Sequence, residues 1–207
     1  MKRSWQSVPA PGERQLYRDR IEWRWYGRFL PPQMQLSGEN VPEESWWNWR
    51  GIDVHVDRLA NPDARAAVVL LHGEGGNGRV VMLLGPLLRS LGLEAAAPDL
   101  PGYGLTERRA EVVPTYEMWA DLAADFADEE HRRRSLPVVV FGLSIGGFLA
   151  YGAAARTKSI AAVIASTLVD TRARPSFPHI ARYPMAARLG RPRLPRKPQT
   201  VRHTGGA

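Results

Sequence analysis

The chain has no cysteine among its 207 residues, which excludes disulfides and thiolate metal sites and fits a cytoplasmic protein. It has no apolar run long enough to span a bilayer, and Met1-Lys2-Arg3 is followed by no apolar stretch of the kind a secretory signal carries. No group of residues has metal-ligand spacing, and no internal repeat is present. Acids are missing from one region altogether. From Ala173 to Ala207 there are eight basic residues, six prolines and no acid. Tryptophan is as uneven in the other direction, with six of the seven inside the first 49 residues.

The formal net charge of +7 belongs to that tail, because without its eight positive charges residues 1–172 carry −1. The pI near 10.2 therefore says little about what the domain binds, and no specific nucleic-acid partner is expected. A basic Pro-rich run can meet nucleic acid or anionic lipid through charge alone; a disordered end is the plainer reading.

What is present is most informative at residues 137–147, Pro-Val-Val-Val-Phe-Gly-Leu-Ser-Ile-Gly-Gly. A run of strand formers ends in Gly142-x-Ser144-x-Gly146 and leads into a helix-like stretch from Phe148 to Arg156. A strand that turns sharply into a helix strains its corner residue, so glycines two before and two after relieve the clash with the helix. The corner hydroxyl then stands at the positive end of the helix. Two further segments have the same build. Residues 66–78 run from an apolar strand into His72-Gly73-Glu74-Gly75-Gly76-Asn77-Gly78, and residues 95–106 end in Pro98-Asp99-Leu100-Pro101-Gly102-Tyr103-Gly104-Leu105-Thr106. Alternation of strands and helices from 66 to 166 argues a mostly parallel sheet with helices on both faces, an α/β fold.

As an ordered set, strand-HG-loop, strand-D-x-P-G-x-G and strand-G-x-S-x-G resemble the α/β-hydrolase superfamily, within it the serine aminopeptidase, monoacylglycerol lipase and esterase-like branch. The resemblance spans about residues 46–170 and implies a serine hydrolase acting on a small-molecule ester or amide without a cofactor or metal. Ser144 would be the nucleophile that forms an acyl-enzyme. The backbone N–H groups of Ile145 and Glu74 would form the oxyanion hole, where one lost donor costs about 2.7–4 kcal/mol. His72 belongs to the loop signature and is read as holding that loop rather than as the base.

The triad order in this family is serine, acid, histidine, and the family carries the last two after a cap, on two further strands. Residues 173–207 show neither strand, so the fold reads as a hydrolase lacking its last strands, a truncated or frame-shifted reading of a longer gene. Asp170 follows the strand Ile160–Ser166 and is in order for the acid, with His203, or else His179, as the base. Both histidines lie among prolines and arginines, which favours solvated side chains over a positioned base. The expected domains are an arm over 1–45, an incomplete hydrolase core over 46–172 and a basic tail over 173–207. Two alternatives stand beside the hydrolase: an inactive fragment or binding module that keeps the elbow, and a dinucleotide-binding protein. The last rests on Gly73-x-Gly75-x-x-Gly78 after a strand, with Asp99 at the next strand's end.

Four local expectations complete the reading. Ile160–Ser166 is left as an open sheet edge through which the chain can self-associate. Arg14 to Phe29 is basic, aromatic and helix-compatible; an interfacial membrane helix suits that composition, and an arm packing its aromatics on the domain is the favoured reading. Residues 46–58 predict a hairpin turning at Arg50-Gly51, with Ile52, Val54 and Val56 inward and His55 on the polar, outward face. Thr115 caps a helix whose Met118, Trp119, Leu122 and Phe126 share a face.

Overall fold

The computed structural model describes residues 14–107, 109 and 111–168, all within one compact unit, Met1–Val169. Six strands, β1 (Glu43–Trp49), β2 (Ile52–Leu59), β3 (Ala67–Leu71), β4 (Glu94–Pro98), β5 (Val138–Leu143) and β6 (Ile160–Ser166), form one sheet in the order β1-β2-β4-β3-β5-β6. β2 runs antiparallel to β1 and β4, while β4, β3, β5 and β6 are mutually parallel. The mostly parallel α/β sheet is therefore the one expected.

Period-two burial shows why these residues make strands. Along β3, Ala67, Val69 and Leu71 enter one core, and Val68 and Leu70 the other; all five are buried. Each face carries helices. α4 (Tyr116–Arg134) and α5 (Ile145–Ala154) bring Trp119, Leu122, Phe126 and Leu149 to the first core. On the opposite face, α2 (Gly78–Val81) and the turn after it bring Val81 and Met82, followed by α3 (Gly85–Ser90). Full burial of one such aliphatic side chain is worth about 1.5–3 kcal/mol.

Helix α4 starts where expected. Thr115 Oγ1 accepts the Met118 N–H at 3.1 Å, and the helix ends at Ser135 in the left-handed region (φ 55°), with His131 and three arginines in the last turn favouring its negative end. The hairpin also turns at Arg50 and Gly51, both at positive φ, as a two-residue turn between right-twisted strands requires. β1 begins at Glu43, slightly before the expected core boundary. Among the described residues β6 is an edge strand, and it leaves Ile164 53% exposed.

One expectation is overturned. His55 does not face water; it is fully buried. The alternation of β2 is the one expected, since Ile52, Val54 and Val56 share the first core, but its second face is covered as well. Tyr17 from the arm lies edge-on to the His55 ring at 5.0 Å, and Arg79 from α2 reaches Asp57 beside it. An arm packing its aromatics on the domain describes Tyr17 and, in part, Trp23, whose rings meet at 5.8 Å. It does not describe helix α1 (Ile21–Gly27) as a whole, because Ile21, Trp25, Tyr26 and the following Phe29 are exposed.

Candidate active site

Ser144 sits at the corner between β5 and α5 with φ 55° and ψ −117°, a backbone state that costs a residue with a Cβ about 1–3 kcal/mol. The neighbouring sequence makes that corner possible. A Cβ on Gly142 would run into the backbone of Gly146, and a Cβ on Gly146 would meet the Leu71 and His72 carbonyls. Gly147 faces the other way, where its Cβ would come within 2.8 Å of the Leu168 side chain. The first turn of α5 thus lies between β3 and β6. At Gly142 and Gly146 the obstacle is backbone, so glycine is required there. The Ser144 N–H donates to the Ser166 carbonyl at 2.9 Å, and the Ser144 carbonyl accepts from Gly147 at 2.9 Å, which holds the corner from both sides.

The loop after β3 reaches the same place. A Cβ on Gly73 would stand 3.3 Å from Ser144 Cβ and 3.2 Å from the Leu143 carbonyl, so the loop packs tightly against the corner and Glu74 follows directly. Ile145 is the first residue of α5, where backbone N–H groups lack intrahelical acceptors. The elements that carry Ser144, Ile145 and Glu74 therefore meet at the carboxyl ends of β3 and β5, the end of a parallel sheet where ligands bind.

His72 holds this loop. Its Nε2 accepts the Leu100 N–H at 3.1 Å, which leaves Nδ1 as the donor to the Gly73 carbonyl at 2.8 Å. Burial lowers its pKa, against the Gly73 hydrogen bond and the Asp99 charge, and favours the neutral ring. With both nitrogens engaged it ties the HG loop to the Asp99 loop. His131 is likewise occupied, its Nδ1 bonded to the Leu136 carbonyl at 2.8 Å. Among the described residues no histidine reaches Ser144. Asp170, His179 and His203 lie outside the described residues.

A second polar cluster lies under the arm, and the sequence reading missed it. Arg79 grips Asp57 in two places, Nε to Oδ2 at 2.6 Å and Nη2 to Oδ1 at 2.7 Å, and reaches Glu44 Oε1 at 2.8 Å. His55 Nε2 is 3.2 Å from Glu44, and Nδ1 is 3.2 Å from Asp99 Oδ2, an ionic contact without hydrogen-bond alignment. Burial works against the His55 charge, but Asp99 and Glu44 on either side outweigh it and raise its pKa to about 9. Burial pushes Asp57 up to about 6 against the pull of Arg79. Burial also pushes Glu44 up, yet His55, the Arg18 and Tyr17 N–H groups and Arg79 together bring it down to about 2.

Glu44, His55 and Asp57 bring ligand atoms within 4.8 Å of one another, the only grouping of its kind among the described residues. Arg79 already holds both Asp57 oxygens and one of Glu44, so the donor set is matched to a guanidinium. The signal that could have revealed the cluster was three ionisable residues at alternate positions of a strand that has a neighbour on each side. A polar face there needs a cover, and the arm supplies it.

Asp99 belongs to this cluster rather than to a ribose site. Its Oδ1 accepts the Gly78 N–H at 2.5 Å; its Oδ2 accepts the Tyr17 hydroxyl at 2.8 Å and the Leu105 N–H at 2.7 Å. The amide a dinucleotide fingerprint would offer to a pyrophosphate is taken, and a Cβ on Gly78 would press on the Ala97 carbonyl. A cavity of about 540 Å³ lies on the arm side, lined by Trp23, Leu36, Leu83 and Arg79 among others, with no residue of the elbow in its wall.

A mostly parallel sheet, an HG loop and a strained serine at the strand-to-helix corner define an α/β hydrolase. The sequence model of the serine aminopeptidase (S33) family matches residues 62–202, and the chain belongs to that family. A search of curated proteins finds no match. The fold is similar to that of the α/β hydrolase GrgF from Penicillium sp. sh18, with TM-score 0.57 and 16% identity over 61% of this chain and 46% of that one. It is similar to a soluble variant of monoglyceride lipase from Saccharomyces cerevisiae, with TM-score 0.54 and 25% identity over 62% of this chain and 45% of that one. A bacterial membrane phospholipase A gives TM-score 0.58 and 19% identity over 72% of this chain and 44% of that one. The chain spans less than half the length of each of these proteins.

Proposed function

We propose that this chain is a serine hydrolase that cleaves ester or amide bonds of small molecules through an acyl-enzyme on Ser144. The observation that carries the reading is the Ser144 backbone itself, held at φ 55° and ψ −117° while the Gly73 backbone packs against its Cβ. Strain of that size persists where the surroundings over-determine it, and it aims a side chain. Family membership supports the lipase and esterase side of the reading, and the likeness to monoglyceride lipase, at 25% identity, points to an acyl ester.

The chemistry follows from the placement. Ser144 Oγ attacks the acyl carbon as its proton passes to a base, and the carbonyl oxygen becomes an oxyanion facing the N–H groups of Ile145 and Glu74. Collapse breaks the acyl bond, and the alcohol or amine leaves with the proton from the base. Water then repeats the sequence on the acyl-enzyme. His72 and His131 are engaged elsewhere and His55 is buried in the arm cluster, so this reading draws its base from His203, or else His179, with Asp170 as the acid that orients it. In the same reading residues 46–172 act as the core, and the β6 edge offers a self-association contact.

Labelling with a fluorophosphonate tests the proposal, because phosphonylation needs an activated hydroxyl. The expected result is stoichiometric modification of the Ser144 peptide, absent in Ser144→Ala and lost in His203→Ala or His179→Ala. Folded protein that takes up no label would overturn the reading and leave an elbow without a base.

A further inference from the structure

Helix α1 presents two unlike sides. Trp23 turns toward the domain and packs on Tyr17, while Ile21, Trp25 and Phe29, spaced four apart and so on one face, are 72%, 60% and 72% exposed. The Trp25 and Phe29 rings touch at 5.4 Å, whereas Tyr26, also exposed, meets the Trp23 ring at 5.9 Å. Ile21, Trp25 and Phe29 thus form an exposed apolar patch, of a kind that marks interaction sites when it is large. The stretch that carries the patch is tied to the sheet. The Tyr17 and Arg18 N–H groups donate to the two oxygens of Glu44 at 2.7 and 2.9 Å, and the Tyr17 hydroxyl is bonded to buried Asp99.

Charge decides what the patch fits. Residues 14–30 hold five arginines against two acids. Arg18 and Arg28 stand at either end of this stretch, in the wall of the arm-side cavity with Trp23 and Tyr26; both are exposed, and among the described residues neither guanidinium has an ion-pair partner. An exposed tryptophan and phenylalanine with two unpaired arginines in the same stretch match a surface that is apolar below and anionic above. We infer that this face of α1 docks the protein on an anionic lipid bilayer, with Ile21, Trp25 and Phe29 entering the interface and Arg18 and Arg28 meeting lipid phosphates. This goes beyond the hydrolase reading and stands whether or not Ser144 is active.

Flotation of the full chain tests it, with vesicles of phosphatidylcholine alone and vesicles of equal parts phosphatidylcholine and phosphatidylglycerol. The protein is expected to float with the anionic vesicles only and to be released by salt. Arg18→Gln and Arg28→Gln should each lower partitioning about five-fold, and the Trp25→Ala/Phe29→Ala double variant should lower it by more than about ten-fold. All four positions are exposed, and thermal melts of the variants check that they fold. Absence of flotation overturns the inference. So does undiminished binding by the arginine variants or the aromatic double variant, which would assign the lipid contact to the basic tail. A concentration-dependent dimer, formed without vesicles and lost in the double variant, would also overturn it and assign the face to a second copy.

Discussion

Ser144, at the end of a strand, and His55, within one, are both polar residues of the same fold, and they are treated in opposite ways. Around His55 the charges are set against one another: Glu44, Asp57 and Asp99 against Arg79 and the imidazole, with the Tyr17 hydroxyl and backbone amides on further oxygens, and only His55 Nδ1 left without an aligned hydrogen bond. Around Ser144 the backbone is over-determined, while among the described residues no hydrogen bond reaches the hydroxyl. The cluster with more ionisable groups is the structural one. Its charges are committed to one another and hold the arm to the sheet. The strained serine carries little charge and, among the described residues, its hydroxyl is uncommitted, as the proposed hydrolase reading requires.

The strongest way to break this contrast is to unbalance the buried cluster. Arg79→Ala leaves Asp57 and Glu44 buried without their cation, which costs about 3–5 kcal/mol. A urea melt should register the loss. If the two clusters are independent in kind, Ser144 in whatever protein remains folded still takes up fluorophosphonate. A variant that keeps wild-type stability would show that the cluster does not hold the domain together.

Most of the Ser144 side of the comparison was legible in the chain. The elbow, the HG loop and the Asp99 loop each rely on short-range sterics: Gly142 and Gly146 are required by contacts within a few residues or with one neighbouring strand, and that requirement is written locally. The His55 side was not legible. Tyr17, Glu44, His55, Asp57, Arg79 and Asp99 come from five separate stretches of chain, and no spacing rule joins them. The alternation in β2 was visible, but alternation says only that two faces differ, not that the polar one is exposed. For the same reason α1 reads as a helix while its exposed aromatic side follows only from where Tyr17 anchors it.

pH sharpens the comparison from the His55 side. Its pKa is raised from about 6.5 to about 9 in the folded protein, so the stabilisation it contributes is complete below about pH 6.5 and is lost as pH rises through about 9. At pH 8 the loss is about 2 kcal/mol, at about 1.4 kcal/mol per unit. Asp57, raised to about 6, acts in the same sense at lower pH. Glu44, lowered to about 2, weakens the fold only on strong acidification. Urea midpoints taken between pH 6.5 and 9 should therefore fall steadily for the wild type and stay level for His55→Gln. Equal slopes would mean that His55 is not the titrating group.

The smallest expected effect lies on the serine side and is the most specific. Glycine in place of alanine in ordinary structure loses about 0.5–1 kcal/mol through the freedom of the unfolded chain. At position 144 the sign should reverse. Ser144→Ala keeps a Cβ at φ 55° and ψ −117° and so keeps the strain, whereas Ser144→Gly releases about 1–3 kcal/mol of it. After the entropic cost, the glycine variant should be more stable than the alanine variant by about 1 kcal/mol, read as a difference in denaturation midpoint. Both variants lack the hydroxyl, so any difference between them reports the backbone alone. If alanine proves as stable as glycine, the corner is relaxed, and what distinguishes Ser144 from the committed side chains around His55 would be its exposure rather than stored strain.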